Sequence, residues 1–124
     1  MNVVVLYAAA ALTGLWGAAH LFATRGVVAD FGGLTADNRR IITMEWIVEG
    51  VALISLGTLV AVVTATGPDT AVSSAVFAVA IGTLIALALV SLFTGFKVEF
   101  LPFRLCPLIF GLSAVLIAAG AWWL

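Results

Sequence analysis

Charge is scarce in this chain. Only 9% of its 124 residues are charged, and its five Lys and Arg against six Asp and Glu leave a net charge of -1. Soluble domains carry about 25% charged residues, so too few are present to cover a water-facing surface. There is no basic stripe, which excludes a nucleic-acid partner. Cysteine is nearly absent too. Cys106 stands alone, which rules out an internal disulfide and any Cys-x-x-Cys site. A lone thiol in an apolar run reads as a small packed hydrophobe. No Asn-x-Ser/Thr sequon occurs. The first apolar run has no Lys or Arg before it and exceeds the ~7–15 residues of a signal h-region, so a cleaved leader is not expected.

What is abundant is hydrocarbon, with 65% of the residues hydrophobic. Four apolar stretches stand out: 3–23, 41–63, 71–93 and 103–123. Each has the ~20 residues that a helix needs to cross a ~30 Å bilayer core. Lipid cannot satisfy bare N–H and C=O groups, so helix is the practical backbone. The runs lack the alternation of a barrel strand. The expected fold is all-α, one integral membrane four-helix domain over 1–124.

The breaks between the spans carry turn and cap signals. The first, 24–40, holds Gly32–Gly33, Asp30, Asp37, Arg39 and Arg40. Its Val27, Val28, Phe31 and Leu34 are expected to dip into the membrane surface. Gly32–Gly33 reads as a turn, since no Lys-Ser/Thr follows to make a phosphate cradle. Gly67–Pro68–Asp69 marks the second break, and 94–102 is the third. Thr35 or Asp37 can cap the second helix, and Asp69 or Thr70 the third. Pro102 suits the first turn of the fourth helix, while Pro107 should loosen that start.

All five positive side chains, Arg25, Arg39, Arg40, Lys97 and Arg104, fall in or beside the first and third breaks. The positive-inside rule assigns that side to the cytoplasm, so both termini should face outward. Trp122 and Trp123 then anchor the last helix at the outer interface. Gly14, Gly17, Gly50, Gly57, Gly111, Ala114 and Ala118 offer flat patches for close helix approach.

Ionisable residues within spans are costly and ask for a reason. His20, Glu45 and Glu49 are the three such cases. The two glutamates are four apart on one helix face, and Glu49 sits ~6 Å deeper than Glu45. An antiparallel hairpin should bring all three together. Trp16, one turn before His20, and Trp46, beside Glu45, are expected to line the same place. Ser91, Thr94 and Arg104 should contribute from the third and fourth helices.

Two kinds of function fit such a cluster. In the first, His20, Glu45 and Glu49 do acid–base work on a lipophilic molecule. A carboxyl group in a low-dielectric pocket favours its neutral form. A neutral acid beside a base suits a double-bond shift or a cation-initiated cyclisation. Trp16 and Trp46 would then stabilise a cationic intermediate, with Ser91, Thr94 and Arg104 binding substrate. In the second, the polar groups pair with one another or with arginines and only fix helix register. The protein is then a non-catalytic accessory or assembly subunit of a larger membrane complex. His-Glu-x-x-His and Glu-x-x-His are both missing, so neither a metal nor a cofactor is expected. The outer half lacks polar groups, which argues against a monomeric pore. A lipid-like molecule, the membrane, a second copy or a complex subunit are the expected partners.

The layout resembles the DoxX-like class of small bacterial four-helix membrane proteins. The likeness rests on four spans, a conspicuous first loop after Ala-His-Leu-Phe-Ala-Thr-Arg (19–25), and Glu-Trp-Ile-Val-Glu-Gly (45–50) early in the second helix. It implies the fold and a bacterial plasma membrane, and no site residue. The combination of His, two Glu and Trp is also similar, in residue types alone, to the emopamil-binding-protein-like sterol isomerases.

Overall fold

The computed structural model describes residues 1–124, and four helices account for most of them. They are α1 (Val3–Asp30), α2 (Ala36–Thr66), α3 (Ala71–Phe93) and α4 (Leu101–Ala118). A single 3-10 turn, Gly95–Lys97, follows α3, and a widened π turn, Ala119–Trp123, ends α4. All four helical segments are long and apolar enough to cross a membrane. The third span coincides with the expected one. The first two helices run longer than their apolar cores, to 28 and 31 residues. At 1.5 Å per residue they reach ~42 and ~46 Å, beyond the ~30 Å hydrocarbon core.

The expected first loop of 24–40 is therefore mostly helix. Polar side chains do not interrupt a helix; backbone conformation does. The break narrows to 31–35, where Gly32 and Gly33 adopt φ of 35° and 66°, a region that side chains with a Cβ rarely enter. Val27 and Val28 do not dip into lipid. They are 4% and 5% exposed, packed inside the bundle by the continuation of α1.

Caps fall at Thr35 and Thr70, whose hydroxyls accept from the Asn38 and Ser73 amides at 3.2 and 3.0 Å. Asn2 caps α1 by accepting from the Val4 and Val5 amides. Ser73 reaches back to the Gly67 carbonyl, closing the short α2–α3 connection. Pro102 lies in the first turn of α4 as expected, and the helix runs on through Pro107. Proline has no N–H, so the Phe103 carbonyl loses its usual partner four residues on.

α1 packs along α2, and α3 along α4. α1 also meets α4, whereas α2 and α3 touch little. The termini are tied together, since the Asn2 amide donates to the Gly120 carbonyl at 2.8 Å. The α1–α2 seam is very tight. A Cβ on Gly17 would lie 2.6 Å from the Gly50 carbonyl oxygen, and one on Gly57 2.6 Å from that of Ala10. Lipid is as apolar as the side chains, so close backbone approach rather than water exclusion holds such helices together. Gly14 and Gly111 have open space where a Cβ would go, so Gly14 lends only backbone to the seam. The core toward the termini is dry, built on Leu6, Val60, Phe77, Phe110 and Ile117. Two buried hydroxyls there fold back on their own helix, Thr13 donating to the Ala9 carbonyl and Thr64 to that of Val60.

Candidate functional site

The polar residues gather at the end of the bundle away from the termini. His20 lies on the inward face of α1 and is 4% exposed. Its Nδ1 stands 2.9 Å from the Trp16 carbonyl oxygen. A carbonyl can only accept, so Nδ1 carries the proton and donates. In the neutral ring Nε2 is then a bare acceptor. It points at Glu49 Oε1 on α2, 3.6 Å away, and has no hydrogen-bond partner.

Two bare acceptors facing each other repel. The geometry is satisfied when one proton lies between them, on either Nε2 or the carboxyl. His20 and Glu49 thus form a pair that can give a proton at one atom and take one at the other.

The surrounding aromatics fix the ring. Trp46 lies over it at 4.7 Å between centroids with a 30° tilt, and Trp16 meets it edge-on at 5.7 Å. The Trp46 indole N–H donates to the His20 carbonyl at 2.7 Å, and the Thr24 hydroxyl donates to the same oxygen at 2.8 Å. Phe103 of α4 packs against Trp46 at 5.2 Å between ring centroids. These contacts lock α1 and α2 in register and aim Nε2 at Glu49.

The pair opens into a cleft of about 440 Å³ to which all four helices contribute. Its polar lining is His20, Glu49, Ser91 and Thr94, with Trp46 and Cys106 among the apolar lining. Glu49 is 35% exposed, so it is reachable while His20 is not. Thr94 spends its hydroxyl hydrogen on the Val90 carbonyl at 2.6 Å and keeps lone pairs free.

Of the residues expected from sequence, His20, Glu49, Trp46, Ser91 and Thr94 come together in this cleft. Trp16 supports His20 from behind and lines a smaller adjoining recess with Cys106. Glu45 does not converge with the others. Its side chain is exposed, because a four-residue step rotates ~40° around the helix and rises one turn. Arg104 also lies outside. It is exposed, and its Nε–H donates to the Val98 carbonyl at 3.0 Å, closing the turn before α4. Cys106 and Phe103 were not anticipated as lining. Cys106 follows Pro102 by four residues, on one face of a helix whose start was legible, and that spacing was the available signal. No group of three or more His, Cys, Asp or Glu is arranged to hold a metal ion.

Fold and site together define an integral membrane four-helix bundle with a buried histidine–carboxylate pair opening into a polar cleft. No protein family, curated protein or solved structure matches the chain.

Proposed function

We propose that the cleft binds a lipophilic small molecule and that His20 and Glu49 move a proton on it. The observation that carries this reading is the bare Nε2 aimed at a partly open carboxyl, 3.6 Å away, inside an apolar bundle. Glu49, the reachable member, takes a proton from an allylic or α-carbonyl carbon. The same carboxyl then returns a proton to the far end of the shifting double bond. Electrons move only within the substrate, so the step needs no oxidant. His20, behind Glu49, keeps the pair's other proton throughout, so the pair ends as it began. A cyclisation uses the same pair in the reverse sense, protonating an alkene first and removing a proton after ring closure.

The accessory-subunit reading asks for these groups to be mutually satisfied in a filled bundle. The open cleft beside Glu49 favours a ligand instead. The DoxX-like layout, a bacterial plasma membrane and outward-facing termini belong to the same proposal and rest on span pattern and positive charge.

The test is solvent exchange. Protein reconstituted with lipid extracted from its source membrane is incubated in deuterated water, and the lipids are analysed by mass spectrometry. The expected result is deuterium on carbon in one lipid class. Exchange should drop about 10²–10⁴-fold in Glu49→Gln and His20→Gln, and hold in Glu45→Gln. Exchange that persists unchanged in Glu49→Gln overturns the acid–base reading. A folded Glu49→Gln protein that loses a membrane complex would instead establish the accessory role.

A further inference from the structure

The cleft does not end at Glu49. Glu49 and Leu87 are shared with a second compartment of about 410 Å³ between α2 and α3. Leu56 and Leu59 are in turn shared with a third, of about 460 Å³, lined only by apolar residues and reaching Ala71 at the start of α3. The three compartments run the length of α3, from Thr94 to Ala71, which is ~35 Å at 1.5 Å per residue. Each is within the ~300–1,000 Å³ of ordinary ligand sites. The compartments adjoin along one groove line because α2 and α3 touch little, while every other neighbouring pair of helices is packed. Polar lining is concentrated at one end and falls away toward the other.

We infer that the groove holds one single-chain lipid with an uncharged, hydrogen-bonding head. Its hydroxyl or carbonyl lies at His20 and Glu49, and its tail lies between α2 and α3. This inference rests on the proton-transfer reading and names its substrate class. The shape sets the single chain: a slot along two helices with one polar terminus. The lining sets the head. Arg104 and Lys97 are exposed and not part of the cleft, so an anionic head would meet the Glu49 carboxyl with no arginine or lysine to offset it. A cationic head fares no better, because with one proton held between His20 and Glu49 the pair carries no net charge to balance it. An unpaired charge in such a site is costly, whereas a hydroxyl can donate to the Glu49 carboxyl or accept from it.

Photolabelling in bilayers tests the placement. Two probes are made from cetyl alcohol, one with a diazirine beside the hydroxyl and one with it at the tail end. The head-end probe should label Trp46, Ser91 and Phe103. The tail-end probe should label the 56–59 and 75–79 segments. Excess cetyl alcohol should suppress both, with palmitate and cetyltrimethylammonium about tenfold weaker competitors, given the cost of the unpaired charge. Ala75→Trp, and separately Val79→Trp, should cut tail-end labelling about tenfold and spare head-end labelling. Both side chains are on the exposed side of the groove, so folding should survive in at least one.

A competed head-end label with tail-end label spread over every lipid-facing surface overturns the groove and leaves the proton-transfer reading standing. A charged competitor as effective as the alcohol overturns the assignment of the head. A covalent dimer formed through Ala75→Cys, in place of tail-end label, gives the groove to a second copy of the chain and overturns the inference. Loss of competition at both ends brings down the site itself.

Discussion

α2 presents two unlike faces to its neighbours. Toward α1 it offers Gly50 and Gly57, and the backbones meet so closely that a single methyl group would collide with a carbonyl oxygen. Toward α3 it offers Glu49, Ser55 and Leu59, and the helices stand apart around a groove. The two faces alternate along one helix with the same apolar surroundings. The difference teaches that in lipid a seam closes only where side chains are small enough for backbone contact. Bulk and polarity keep it open. A groove here needs no special loop; it follows from where glycine is withheld.

The largest effect should come from closing that contrast on the tight side. Gly57→Leu places a branched side chain where a Cβ already sits 2.6 Å from the Ala10 carbonyl and 2.8 Å from the Gly14 amide nitrogen. Neither is the end of a flexible side chain that could swing away. The hairpin must separate, at a cost of about 3 kcal/mol or more. Thermal unfolding in detergent should show a large drop in midpoint. Leu59→Ala on the open face, where the side chain is 44% exposed, should stay within about 0.5 kcal/mol. Equal losses would mean that α2 and α3 are closed in the membrane.

The next effect sharpens the link between the two faces. His20 sits at the tight seam yet aims at the open one, and Trp46 holds it there. Trp46→Phe removes the 2.7 Å bond to the His20 carbonyl while keeping an aromatic ring over the imidazole. Stability should fall by about 1 kcal/mol. Deuterium exchange should fall further than that, because Nε2 loses its fixed aim. Arg104→Gln, which touches the turn before α4 and not the cleft, should change neither by more than a few tenths of a kcal/mol. A Trp46→Phe protein with full exchange would reduce Trp46 to packing.

The fold was legible in the sequence to a large degree. Four apolar runs in a medium that tolerates only helix leave one architecture, and Thr35, Thr70 and Pro102 sit where they were expected. The helix ends were less legible. Asp30, Asp37 and Arg39 looked like loop residues, but a helix that emerges into water accepts charge readily, and only Gly32–Gly33 sets the break. At the site, His20 and Glu49 were evident as ionisable residues within spans. Glu45 was not separable from Glu49, because four-residue spacing specifies a shared face only to within ~40°. The inward face of α2 is decided by Gly50 and Gly57, which turn Glu49 toward the bundle and leave Glu45 at its rim. The groove was invisible, since it depends on which of two adjacent seams fails to close.

The smallest expected effect lies in the dry half, on α4. Ser113 is completely buried, and its Oγ has no hydrogen-bond partner. The other buried hydroxyls, Thr13, Thr24, Thr64 and Ser73, all donate to a backbone carbonyl. A hydroxyl shut away from both water and a carbonyl keeps its desolvation cost of about 1 kcal/mol or more. Ser113→Ala removes that cost and leaves only a small void, since one oxygen is lost. The variant should be as stable as the parent or more so, by up to about 1 kcal/mol, in thermal unfolding. Deuterium exchange should not change, because Ser113 lies about two turns beyond Cys106 and lines none of the three compartments. A clear loss of stability would show that Ser113 bonds a partner within the bilayer, and the dry half would then hold a polar contact of its own.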